Sequence, residues 1–355
     1  MKNTSLIIIT LGLLQISLSS EASNREKLCQ TTVDCSIGNT LVTSEDAGKI
    51  YLDGAYTGLS TPNMLNLSEG EHLISVGTDA KRQYLRREVT YKNQPLEIHL
   101  NQDNLAEPKI WKALFVGVPT SQGQTELGQC NTSFSKADLD DGFEFFKHNL
   151  KQHIEPFSYN TVKWQVERRD LNAPAVLSHN PKNDWFTLEP EQGLAQLSDI
   201  KPGQYDTIFY FWREQQQDCS FKSPYFGLAW LEPMSVETNK TGYVTVKFNP
   251  EEIGVKGRID QYLNDDPGVW THEWLHVVIE QFYPQRGVNT PIAPKDKLIL
   301  HSAQAYGYQY PWVDWYHDLI SGQVALGKGF TGIGPEALLS CSIAQSAVGD
   351  CNDTN

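Results

Sequence analysis

Between Leu41 and Gln102 the chain alternates short apolar and polar positions, as in Lys49-Ile50-Tyr51-Leu52, Leu73-Ile74-Ser75-Val76 and Leu96-Glu97-Ile98-His99-Leu100. Period-two alternation in segments this short predicts half-buried β-strands. Asp53-Gly54 between two of them predicts a hairpin, because both central positions of such a turn need positive φ. The pattern therefore predicts a small antiparallel β domain over residues 41–102.

After Glu107-Pro108, a candidate boundary, the pattern changes. Ala113-Leu114-Phe115-Val116-Gly117-Val118 is an unbroken apolar run of the kind a buried strand needs, and Val162 to Val166, Thr207 to Trp212 and Tyr243 to Phe248 read as further strands. Ser135 to His153 reads as a helix, with Asp138, Asp140 and Asp141 in its first turns, where the helix dipole favours anions. A second helix is predicted from Asp265 to Pro284, with Asp266 as N-cap, Pro267 where a missing N–H costs nothing, and Pro284 with Gly287 as the stop. Trp312, Trp315, Tyr316, His317 and Asp318 recur at helical spacing and predict a packed helix lying against the second one. Strands and helices mixed in this way predict an α+β domain over residues 108–355.

The first residues carry an address. Met1-Lys2-Asn3, the apolar run Leu6 to Leu14 and the small residues before Ser20-Glu21-Ala22 predict a signal peptide over 1–22 and a mature start at Ser23. No later stretch approaches the roughly 20 apolar residues of a membrane helix. The expected product is secreted or periplasmic, with no transmembrane anchor. An even set of 6 cysteines in an exported chain predicts disulfides. Proximity favours Cys29–Cys35, a clip within the segment 23–40, and Cys341–Cys351, leaving Cys130 for Cys219. With 43 acidic against 29 basic residues, the formal charge of −14 repels phosphate backbones and excludes nucleic acid as a partner.

The chemistry concentrates in the second predicted helix, which contains His272-Glu273-Trp274-Leu275-His276. On a helix the i, i+4 spacing stacks two imidazoles on one face, so both can hold one Zn2+ while Glu273 addresses a water beside it. The segment resembles the zincin metallopeptidases. The resemblance implies an active-site helix beneath a mixed sheet whose edge strand binds substrate backbone, His272 and His276 as zinc ligands, and Glu273 as general base and acid. It implies a protein or peptide substrate. The chain departs from the known subgroups in the third ligand: Ile279 and Phe282 stand where an extended metzincin motif needs Gly and then His or Asp, a thermolysin-like Asn-Glu-x-x-x-Asp helix is missing, and Ala303 replaces the Asp that an aspzincin carries before its Tyr-Gly.

The third ligand is therefore sought among His301, Glu280, Asp296, Asp314 and His317. His301 is preferred: it follows an apolar run, precedes an aromatic patch, and lies far enough beyond His276 for the chain to return, and three neutral imidazoles plus water form an established catalytic set. Glu280, two turns beyond His272, is alternatively a carboxylate that orients His276. Tyr306 and Tyr308 are candidate hydrogen-bond donors to the oxyanion of a tetrahedral intermediate.

The first domain resembles a PEGA domain through Asp53-Gly54, Gly58-Leu59-Ser60-Thr61-Pro62 and Ser68-Glu69-Gly70-Glu71-His72. That resemblance implies a small β-sandwich with an accessory role at the cell envelope, and the module is also a candidate cover for the cleft. The expected activity is a secreted zinc metalloendopeptidase. The alternatives are a non-catalytic cell-envelope binding protein on a zincin scaffold and a zinc amidase acting on cell-wall peptide.

Overall fold

The computed structural model describes residues 38–126, 128–182, 184–295 and 297–351. The expected signal peptide, the Cys29–Cys35 pair and Asp296 lie outside them.

The first region is two facing sheets. β1 (Thr40–Ser44) lies between β4 (Asn63–Leu65) and β7 (Leu96–Leu100), while β2 (Gly48–Leu52), β3 (Ala55–Ser60), β5 (Gly70–Thr78) and β6 (Tyr84–Tyr91) form the other sheet in the order β3-β2-β5-β6. Val42, Leu65, Ile98 and Leu100 from the first sheet meet Ile50, Ile74, Val76 and Leu85 from the second in one buried core. Asp53 and Gly54 take φ of 52° and 81°, as the β2–β3 hairpin requires. The expectation of an antiparallel domain needs one correction: β1 and β7 run parallel. Alternation marks which residues face inward but not which strand lies alongside, and here the last strand returns beside the first.

In the second region β8 (Lys109–Gly117), β9 (Val162–Asp170), β10 (Thr207–Arg213), β11 (Gly227–Trp230) and β12 (Gly242–Phe248) form a five-stranded sheet in the order β9-β8-β10-β12-β11. The first four in that order are parallel and β11 pairs antiparallel at the edge. Both faces are covered, which is why the central strands read as continuous apolar runs. Phe115, Phe209, Phe211 and Val246 pack beneath helices, whereas Leu114, Val116, Ile208, Tyr210 and Trp212 face a second core with Leu188 and Phe221.

Helix α1 (Lys136–Asn149) starts at a reciprocal cap: the Ser135 hydroxyl accepts the Asp138 N–H at 3.2 Å and the Asp138 carboxylate accepts the Ser135 N–H at 2.9 Å. It continues as a π-helical turn over Leu150–Ile154. Helix α2 (Gly254–Asp265) leads into α3 (Val269–Val277), which carries the His-Glu-x-x-His segment, and α4 (Val313–Ser321) lies against α3 as expected. Trp270 and Trp274 of α3 are fully buried under the sheet, Trp274 against Trp111 and Trp164.

The module docks on the far side of α4. Tyr51 donates to the Ser321 carbonyl at 2.9 Å, Gln323 donates to the hydroxyls of Tyr51 and Tyr159, Arg86 pairs with Glu336 at 2.7 Å, and the Tyr56 ring lies 4.5 Å from that of Phe330. Disulfides join Cys130 to Cys219 and Cys341 to Cys351. Among the described residues no helix is long and apolar enough to cross a membrane.

Candidate metal centre

The start of α3 sets the site, and it differs from expectation. Asp266 ends α2, and α3 begins at Val269 with Gly268 as its N-cap. The cap comes from another helix: the Asn149 side chain donates to the Pro267 carbonyl and accepts from the backbone N–H and hydroxyl of Thr271 at 3.4 and 3.3 Å. Asp266 is thereby left for other partners. Its carboxylate accepts the Gly268 N–H at 3.1 Å and the Tyr316 hydroxyl at 3.4 Å.

From α3, His272 and His276 project on one face with their Nε2 atoms 3.2 Å apart. His301 enters from a 3-10 turn over Leu300–Tyr306, its ring 4.9 Å from that of His276 and 5.5 Å from that of His272. The three ligand nitrogens lie within 4.8 Å of one another. Two imidazole nitrogens on a tetrahedral zinc at about 2.0–2.1 Å stand about 3.3 Å apart, so the His272–His276 spacing fits a shared ion and His301 has only to draw in. Burial, reinforced by the neighbouring imidazoles, holds His272 well below the ordinary histidine range, and the same causes lower His301. Neutral imidazoles are the form that binds a metal.

Glu280 holds the third histidine in place. Its carboxylate accepts the N–H groups of Ile299 and Leu300, each at 3.2 Å, at the start of the turn that carries His301. The same carboxylate stands 3.4 Å from Nδ1 of His276, close but without a hydrogen bond. Trp315 adds a second anchor by donating to the Leu300 carbonyl at 3.2 Å. Asp314 and His317 are elsewhere: Asp314 lines a separate surface groove, and His317 pairs with Asp318 and approaches Arg82 of the module.

Glu273 is 6% exposed and lies against the edge strand. A Cβ on Gly227 would meet the Glu273 carboxyl carbon at 2.6 Å, so β11 needs glycine there for the carboxylate to fit. Burial pushes the Glu273 carboxyl up to about 7, opposed by His276 and assisted by Asp266. A dication on the imidazoles would pull that value down.

These groups line a cleft of about 690 Å³. Its lining includes β11 with Tyr225 and Phe226 before it, Tyr310 and Trp312, and Arg258, Tyr262 and Asp265 of α2. No module residue lines it, so the module is no cover. Tyr306 and Tyr308 do not line it either. Tyr306 bonds the backbone of Ile292, Tyr308 donates to Asp318 at 2.5 Å, and both rings pack on Trp315. Of the tyrosines that follow His301 in this stretch, Tyr310 lines the cleft, two residues beyond Tyr308. The sequence carries no signal for Tyr310 or Gly227 at the cleft, and it suggests only helix packing for Tyr316 and an N-cap for Asp266, because their contacts here come from other elements.

No protein-family model matches the chain, and no curated protein matches it. Among solved structures, the chain aligns with metalloproteinase-II from Bacteroides fragilis at 10% identity and a TM-score of 0.25, over 73% of this chain and 78% of that one. A likeness that slight assigns neither fold nor activity.

Proposed function

We propose that the protein is an exported zinc-dependent peptidase that hydrolyses peptide bonds within its cleft. The observation that carries this reading is the convergence of His272, His276 and His301 on one point, beside a buried Glu273. His272, His276 and His301 would hold the ion, which when bound supplies Lewis acidity and brings a water's pKa toward about 7. Glu273 takes the proton of the attacking water and returns it to the leaving amine nitrogen. The outer edge of β11 offers backbone groups to an extended peptide, as strand addition requires, and the aromatic walls accept its side chains. An antiparallel edge strand beside the motif helix is also the basis for proposing a zincin-like arrangement, and the facing sheets of the module are the basis for proposing a PEGA-like one.

Export rests on the N-terminal sequence and agrees with the disulfides. Of the alternatives, the scaffold without activity is disfavoured by Glu273, because a scaffold has no need of a carboxylate buried at the cleft beside three imidazoles. Cell-wall peptide requires the same chemistry and becomes a choice of substrate. The test is cleavage of internally quenched peptides, cell-wall stem peptides included, by zinc-loaded protein and by Glu273→Gln. Wild type is expected to cut internal bonds, with the variant slower by about 10²–10⁴-fold. Equal rates in the two would remove the assignment.

A further inference from the structure

We infer that Tyr316 and Asp266 are positioning residues for His272, a relay that fixes its tautomer and ring plane so that Nε2 faces the metal point. The inference rests on the metal-site reading above and adds two residues to it. His272 Nδ1 lies 2.9 Å from the Tyr316 hydroxyl, and that hydroxyl lies 3.4 Å from the Asp266 carboxylate. A tyrosine hydroxyl has one hydrogen to give. Asp266 accepts the Gly268 N–H at one oxygen and the Tyr316 hydroxyl at the other, so the hydrogen goes to Asp266 and the oxygen lone pair is left for His272. The imidazole must then carry its proton on Nδ1, which leaves Nε2 unprotonated toward His276 and His301.

The packing shows how firmly this arrangement is held. Tyr316 is fully buried. A Cβ on Gly268 would lie 2.6 Å from the Tyr316 ring, so the turn into α3 is shaped around it. The Gly268 N–H in turn binds the other oxygen of Asp266. The ring comes from α4, the carboxylate from the end of α2 and the histidine from α3, so three helices meet at one hydroxyl. His276 has no equivalent, since its Nδ1 lacks a hydrogen bond. Metal-ligating histidines commonly donate their second nitrogen to a carboxylate directly. Here a phenol stands between the two.

The test uses full-length protein carrying Tyr316→Phe, with Asp266→Asn as the milder variant and Tyr51→Phe as a control that loses a buried hydroxyl elsewhere. Histidine ring ¹⁵N shifts in metal-free protein read the tautomer, and competition with a chelator reads zinc affinity. The expected result is Nδ1-protonated His272 in wild type, loss of that preference in Tyr316→Phe, and zinc binding weaker by about 10–100-fold. Asp266→Asn moves in the same direction by less, and Tyr51→Phe keeps both readouts at wild-type values while losing some thermal stability. An unchanged tautomer with unchanged affinity in Tyr316→Phe overturns the inference. Wild type that takes up no zinc overturns the functional reading instead, and the tautomer measurement then decides the relay by itself.

Discussion

Two aromatic regions of the molecule end in opposite states. Toward the module, Tyr51, Tyr84 and Tyr159 are at most 1% exposed, and the hydroxyls of Tyr51 and Tyr159 have partners in Ser321 and Gln323. Toward the cleft, Tyr225, Phe226 and Tyr310 are 42%, 65% and 55% exposed around a polar floor of His272, His276, His301 and Glu273. The module contact is closed to solvent. Aromatic rings left open around a concave, polar floor mark a surface kept for a ligand. On the proposed function, the module therefore belongs to the fold of the second region, and recognition belongs to the cleft walls.

The largest effect expected from breaking this contrast is on the module side. Tyr51→Ala should destabilise the protein by about 3–5 kcal/mol, as loss of a fully buried aromatic does, read from the urea midpoint. Zinc affinity and turnover of the folded fraction should remain. If they fall together with stability, the module has a direct part in the site.

Acid should strike next, behind the cleft. His153 is 8% exposed between α1 and the turn at Pro267, and burial, with His148 nearby, lowers it to about 4. The unfolded chain takes up that proton near the ordinary 6.5. Its contribution is therefore present above that pH and is lost as pH falls from 6.5 through 4, by about 3 kcal/mol at most. Urea midpoints between pH 7 and 4 should fall more steeply for wild type than for His153→Gln, and parallel curves would refute the assignment.

On the cleft side, Gly227→Val should push the Glu273 carboxylate aside. A misplacement of about 1 Å costs about 10²-fold in rate, so turnover should drop by that order with zinc content intact. The smallest effect should come from Phe226→Ala. Stability should change by less than about 0.5 kcal/mol, as at other exposed positions, while kcat/KM for peptides with bulky apolar side chains falls about tenfold, the worth of one hydrophobic contact.

What was legible in the sequence follows the range of each signal. The core strands of the second region and helices α1, α3 and α4 are legible because apolar positions along them form continuous runs or repeat with a fixed period, whereas helix α2 and the four-residue edge strand β11 carry no such pattern. His272, Glu273 and His276 were visible because one helix places them by local spacing alone. His301 was reached only by chemical preference, since it arrives on a 3-10 turn positioned by Glu280 and Trp315 from distant segments. Tyr306 and Tyr308 misled because proximity to His301 in sequence says nothing about direction: beyond the turn their rings wrap Trp315, and the chain reaches the cleft only at Tyr310. The N-cap of α3 was misread for a related reason, because Asn149 supplies it from α1 and frees Asp266 for Tyr316.

The central claim is one zinc held by three imidazoles, and metal content by mass spectrometry tests it most directly. Purified wild type, Glu273→Ala and His301→Ala would be exposed to zinc, dialysed and measured together. The account predicts stoichiometric zinc in wild type and Glu273→Ala and its loss from His301→Ala. Wild type without zinc, or His301→Ala with as much as wild type, would contradict it.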